Sequence, residues 1–310
     1  MPRQIAKTRA IVLRTRRMGE TSKLVTFFTE EFGRLKVVAK GSRKPKSKFG
    51  AALELMTELQ AVCYLRDDRE LQTLSDCDLL RTFPSLLGDL QLMSYGSAAC
   101  EMIDRLTIDQ EPNKRIYACL KGVLRGLGEV TSQQVEPLFW YFQVRLAEAL
   151  GYRPELTECV GCRQSLDTRG LLSFTVTLGG GLCRSCSQRG GVVVEVAEGP
   201  GAAALEVEGG YHSKGWAEGG YLVAAESIHF LARLQSLEVY RKEAIPARPN
   251  RGGEIRRMLR GFLEYHCGQD GRLKSLDFLD STGPYRGVTP ALDPASESSV
   301  SDQLGFGHTG

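Results

Sequence analysis

The chain has 310 residues, 42% of them hydrophobic and 25% charged, with a formal net charge of +3. That is ordinary globular composition, long enough for two or three modules with at least one sizeable core. No uninterrupted apolar run approaches the roughly 20 residues that a membrane span needs, and MPRQIAKTRAIVLRTRR lacks a secretory apolar segment, so a cytosolic protein with no membrane partner is expected.

The modest net charge hides an asymmetry. Residues 1–50 carry 14 Lys and Arg against 3 Glu, while the remaining 260 residues are net acidic. A solubilising surface mixes signs; a surplus of one sign in one module points to a polyanion.

From the N-terminus, TRAIVLRT (8–15), KLVTFFT (23–29) and GRLKVVAK (33–40) are rich in β-branched and aromatic residues and are parted by turn-like RRMGETS and EEFG. LELMTELQAVCYLR (53–66) and LQTLSDCDLL (71–80) follow, joined at DDRE. Five short strands predict a small Greek-key barrel, of which the OB-fold most often pairs with a basic surface. Alternation places Arg14 and Arg16 on one face and Arg34 and Lys36 on one face. Lys23 is counted with them, and the loop VVAKGSRKPKSKFG (37–50) extends the surface with Lys40, Arg43, Lys44, Lys46 and Lys48. These ten residues are the expected DNA contacts. Phe27, Phe28 and Tyr64 could stack bases, although core positions are the commoner use of such rings.

After Pro84 the apolar spacing becomes helical, over 87–106, 114–130 and 137–152, the last ending at Gly151 before Pro154. Phe139, Trp140 and Phe142 read as core. Two more helices, 225–237 and 253–266, are expected to pack back onto these three.

Between the helical groups stand CVGC (159–162) and CRSC (183–186). Two C-x2-C turns twenty residues apart can aim four thiolates at one Zn²⁺, and LLSFTVTLGGGL between them can form the hairpin that joins the pairs. A closed four-thiolate sphere leaves no position for a catalytic water, so a structural metal is favoured, with redox dithiols or coincidence as the alternatives. Cys63, Cys77, Cys100, Cys119 and Cys267 lie in apolar-patterned segments and read as reduced core residues. No phosphate loop, H-E-x-x-H or G-x-S-x-G occurs, and His212, His229, His266 and His308 form no recognisable pair with the cysteines, so no enzyme is expected. Asp67, Asp68 and Glu70 read as a turn rather than an acidic catalytic site. The glycine-rich run 189–224 reads as a flexible insertion with one strand pair, and the polar, breaker-rich tail 281–310 as disordered.

KTRAIVLRTRRMGETSKLVTFFTEEFGRLKVVAKGSRKPKSKFG, then LGYRPELTECVGC, CRSC and LRGFLEYHCGQDGRLKSLDFL, together resemble the RecO family of bacterial recombination-repair mediators in content and order. The resemblance implies an α+β multidomain chain: an N-terminal OB-fold β-barrel (1–82), and a helical C-terminal domain (83–156 and 225–280) with a four-cysteine zinc module (157–188). It also implies binding of single- and double-stranded DNA, annealing of complementary strands, contact with the C-terminal tail of SSB, work with RecR, indirect action on RecA and a bacterial, nucleoid-associated location. Arg256, Arg257 and Arg260 are possible rim positions for the SSB tail. An RNA-binding or ribosome-associated protein is the alternative, because a barrel with a four-cysteine knuckle suits that machinery as well.

Overall fold

A computed structural model describes residues 4–66, 68–190, 194–195, 220–267 and 273–282. Asp67, most of the glycine-rich run and the tail beyond Thr282 lie outside the described residues.

Strands β1 (Gln4–Met18), β2 (Ser22–Thr29), β3 (Gly33–Ala39), β4 (Glu58–Leu65) and β5 (Leu71–Arg81) form one sheet in the order β1-β2-β3-β5-β4. It closes on itself, because the long β1 pairs antiparallel with both β2 and β4. The sheet is mixed, since β3 and β5 run parallel. Inside it pack Val12, Val25, Phe27, Leu35, Val37 and Leu59. Between Val12 and Arg14 the β1–β2 register shifts. Alternation puts Val12 and Phe27 inside and sends Ile11, Leu13 and Phe28 to the core of the other half, and the bulge at Leu13 lets Arg14 take that same outward side.

That half is built on α1 (Pro84–Leu87), α2 (Leu90–Leu106), α3 (Lys114–Leu127), α4 (Val135–Ala149), α6 (Ala225–Gln235), α7 (Gly252–Cys267) and α8 (Lys274–Thr282). Helix starts are set by side chains: Asp89 accepts from the Leu92 N–H, and Asn113 from those of Arg115 and Ile116. Helix α4 packs against α3, α6 and α7. Apolar on nearly every side, it buries Phe139, Trp140 and Phe142, which therefore offer no stacking platform. Phe139 meets Tyr95 edge-on at 5.1 Å.

A second sheet, β7-β6-β9-β8, carries the cysteines; its strands are β6 (Leu171–Thr175), β7 (Gly180–Leu182), β8 (Val194–Glu195) and β9 (Gly220–Ala224), and the short α5 (Arg184–Gly190) follows β7. Here β9, at the end of the glycine-rich run, pairs along the whole of β6.

The expected fold class is corrected on three counts. The N-terminal strands close into a sheet of mixed pairing that is no self-contained domain, for its outward side supplies Ile11, Leu13 and Phe28 to the other half's core. The C-terminal half is α+β rather than helical, because it contains a four-stranded sheet. The cysteine segment is no separate module: Leu156, Leu166, Phe174 and Leu182 are buried in the same core as α4, α6 and α7. The physical reason is burial. Each sheet has an apolar face that only helices distant in sequence can cover.

Candidate nucleic-acid interface and metal centre

The ten expected DNA contacts divide by their partners. Arg14 is held by Asp104 of α2 at 2.8 Å. Arg34 binds Asp109 and lies 3.8 Å from Asp104, and Lys36 binds the second oxygen of Asp109 at 2.7 Å. Backbone bonds reinforce this joint: the Gln110 N–H donates to the Arg34 carbonyl. Glycine is required at position 33, with φ of +64°, because a Cβ there would lie 2.0 Å from the Glu111 carbonyl oxygen. Burial alone would raise the Asp109 carboxyl, but Lys36 and Arg34 outweigh it and hold the group below its ordinary range. Arg14, Arg34 and Lys36 thus fasten the two halves together.

At the other end of the strands the cations face solvent. Arg16, Lys40, Lys44 and Lys46 are exposed and, among the described residues, form no ion pair. Arg43 donates to the carbonyls of Gly19 and Glu20, which fixes the basic loop against the β1–β2 turn. Lys23 is engaged by Glu54 at 2.8 Å; Lys48 lies 3.8 Å from Asp76 and over the Phe49 ring.

Sequence reasoning missed the surface that continues from this loop. Cross-strand partners Arg16, Leu24, Val38, Thr73 and Tyr64 make one row across all five strands, each at least partly exposed. The row ends in a cleft of about 210 Å³ lined by Tyr64, Arg66, Arg69, Leu71, Gln72 and Thr73. The buried Gln72 carboxamide shapes it, accepting from the Arg66 N–H and donating to the carbonyls of Arg66 and Arg69. Phe27 and Phe28 are fully buried, so of the three candidate rings only Tyr64 reaches this face. Tyr64 is a stacking candidate in the sequence, but that it shares an outward row with Thr73 and Arg16 is visible only once the strand register is known.

The four cysteines meet beside the second sheet, where Cys183 directly follows β7. The sulfurs of Cys159, Cys162, Cys183 and Cys186 all lie within 4.8 Å of one another. Cys162 and Cys183 are 3.8 Å apart, too far for a disulfide and equal to the edge of about 3.8 Å of a tetrahedron with Zn–S bonds of about 2.3 Å. Burial tends to raise the Cys159 thiol, yet donation from the N–H groups of Cys183, Cys162 and Gly161 brings it down to about 6. Donor set and geometry fit one closed-shell divalent cation. The Arg163 N–H donates to the Cys159 carbonyl, and Gly161 admits Cys186, whose sulfur a Cβ would approach to 3.2 Å.

Among the described residues, Cys63, Cys77 and Cys100 are buried in the cores and Cys119 packs half-buried against one. Cys63 and Cys100 are buried, with thiols pushed up to about 12 by burial. His229 and His266 each meet a backbone carbonyl, and His212 and His308 lie outside the described residues. Arg256 binds the buried Glu136, and Arg260 binds Glu264 and Asp277, so only Arg257 of the three rim candidates is exposed.

Two family models match the chain: recombination protein O N terminal over residues 1–83, and recombination protein O C terminal over residues 87–199. A DNA repair protein RecO of Pelotomaculum thermopropionicum is 35% identical over 290 residues, 94% of this chain and 99% of that one. The chain belongs to the RecO family. Another RecO, of Symbiobacterium thermophilum, is 29% identical over 272 residues, covering 87% of this chain and 95% of the relative. That of Salinibacter ruber is 40% identical over 152 residues, 49% of this chain and 58% of the relative. The two RecO family models divide the chain where β5 gives way to α1. No helix among the described residues is long and apolar enough to cross a membrane.

Proposed function

We propose that this chain is a mediator of RecF-type recombinational repair. It binds single- and double-stranded DNA through the closed sheet and anneals complementary strands. With RecR, it helps to load RecA onto DNA coated by SSB, whose tail it contacts.

The observation that carries this reading is the cluster Arg16, Lys40, Lys44 and Lys46, exposed and without acidic partners among the described residues, beside the exposed row that leads to Tyr64. Cations so placed release counterions from a phosphate backbone whatever its sequence, and Tyr64 adds a ring with no base preference. Screening phosphates on two strands lowers their repulsion, and base pairing then drives annealing without hydrolysis of a cofactor. Arg43 acts as an anchor of the loop, and Lys23 and Lys48 contribute after exchanging a carboxylate for a phosphate.

Cys159, Cys162, Cys183 and Cys186 hold one structural Zn²⁺, which fixes the turn that carries Arg163 and joins the sheet to α5. Bound metal supplies rigidity there and no chemistry on DNA.

The test is a titration of single-stranded DNA, free and coated with SSB, at several salt concentrations. Replacing Arg16, Lys40, Lys44 and Lys46 by Ala should lessen the log–log salt slope by about 0.7 for each lost contact on a single strand. An unchanged slope refutes the assignment.

A further inference from the structure

A cavity of about 410 Å³ lies on the far half of the molecule, between the segment that leads into the first cysteine turn and helix α7. None of its lining residues belongs to β1–β5. Tyr152 lines it, 42% exposed, with its ring 5.4 Å from that of His266 and tilted by 33°. Tyr265, 57% exposed, meets the same imidazole edge-on at 4.9 Å. His266 is itself fixed by the Val176 carbonyl at 2.6 Å. Arg153 and Arg163 supply the rim; the first is 72% exposed although 3.5 Å from Glu148, and the second has no ion pair among the described residues. The acid in the lining, Glu155, is turned onto its own chain, accepting from the Thr157 and Glu158 N–H groups and the Thr157 hydroxyl.

We propose that this cavity is a second strand site: a nucleobase stacks on the Tyr152–His266–Tyr265 cluster while the flanking phosphates reach Arg153 and Arg163. The proposal rests on the annealing reading above and deepens it, because annealing needs two strands held on one molecule. A strand on the closed sheet and its complement here meet at the effective concentration of tethered partners.

The chemistry favours nucleic acid over a peptide. A peptide laid along β7 would need its free edge, but that edge is already taken. The Glu155 N–H donates to the Gly179 carbonyl, the Gly181 N–H to Glu155, and the Val160 N–H to Gly181. What remains is flat rings and guanidinium groups, the means by which single strands are held without sequence preference.

The test uses the full-length, metal-loaded protein with a short oligothymidylate bearing a photoreactive base, and a separate assay of annealing. Crosslinks to Tyr152 or Tyr265, in addition to those on the closed sheet, are expected in the wild type. Combining Tyr152→Leu with Arg163→Gln should slow annealing about tenfold while affinity at the closed sheet changes less than about twofold. Crosslinks confined to the closed sheet, with annealing unaltered in the variant, overturn the second site and leave the mediator reading standing. Failure to bind the oligonucleotide anywhere overturns both. Crosslinking here of an aspartate-rich peptide, with none of oligothymidylate, assigns the cavity to a protein tail and likewise overturns it. Because the crosslink is read on the wild type, poor folding of the double variant does not obscure the answer.

Discussion

Lys36 and Lys40 sit four residues apart, on one side of β3 and the loop that follows, and do different work. Lys36 is bonded to Asp109, whereas Lys40 faces solvent with no acid beside it among the described residues. What separates them is an aspartate more than seventy residues away, so no local pattern distinguishes a fastening cation from a free one. The fastening has a signature in acid. Asp109 is held below the usual carboxylate range, so its contribution is present above about pH 4 and is lost as pH falls through the lowered folded-state value. Asp109→Asn should cost about 1 kcal/mol or less at neutral pH, since the pair is partly exposed and screened, and should flatten the acid limb of stability. Urea unfolding of both proteins from neutral pH down to pH 3 measures this; parallel profiles would exclude the ion pair. Gly33→Ala strikes the same joint sterically and should cost more, roughly 1–3 kcal/mol, by forcing Glu111 away.

Among the elements, the strongly periodic ones were legible. Strands expected at 23–29 and 33–40 appear at Ser22–Thr29 and Gly33–Ala39, and the helix expected at 253–266 spans Gly252–Cys267. The reading failed where local pattern and tertiary role diverge. The start of LELMTELQAVCYLR looks extended but lies in and just after a 3-10 turn, Gly50–Leu53; Met56 takes φ of +67° and is buried, so apolarity there serves core contact rather than strand pairing. One strand pair was expected in the glycine-rich run and β8 with β9 form it, but the pairing of β9 along β6 was hidden because it reaches across the chain. The cysteine pairs were fully legible as a cluster, their spacing being local chemistry; that their segment shares the helical core was not. This sharing predicts how metal loss propagates. Cys183→Ser should lower zinc content and expose the segment around 155–190 to proteolysis before the rest of the chain, with Phe174 and Leu182 loosening from α7. Equal protease resistance of zinc-loaded wild type and variant would contradict it.

On the scale of the whole molecule, the charge asymmetry suggests a basic module that could work alone, and the packing argues otherwise. Ile11, Leu13 and Phe28 belong to β1 and β2, yet they are buried with Ile103, Tyr117 and Phe142 of the helical half. Buried Glu58 at the start of β4 is likewise satisfied from outside, by Lys121 at 2.7 Å and the Tyr117 hydroxyl at 3.2 Å. Cutting the chain after residue 82 would leave three apolar side chains in water and a carboxylate without two of its partners. An isolated 1–82 fragment should therefore fold poorly and bind a hydrophobic dye, however basic its surface. In the intact chain the two halves should unfold in one transition, and Phe28→Ala, which opens the shared core, should cost about 3–5 kcal/mol and lower that single transition without splitting it. Differential scanning calorimetry decides the point. Two separate transitions in the wild type, or a soluble 1–82 fragment with a sharp transition of its own, would mean that the shared core is too weak to couple the halves. If the coupling holds, charge substitutions in the full-length chain are the means to separate DNA binding from the other activities, because truncation removes the fold together with the function.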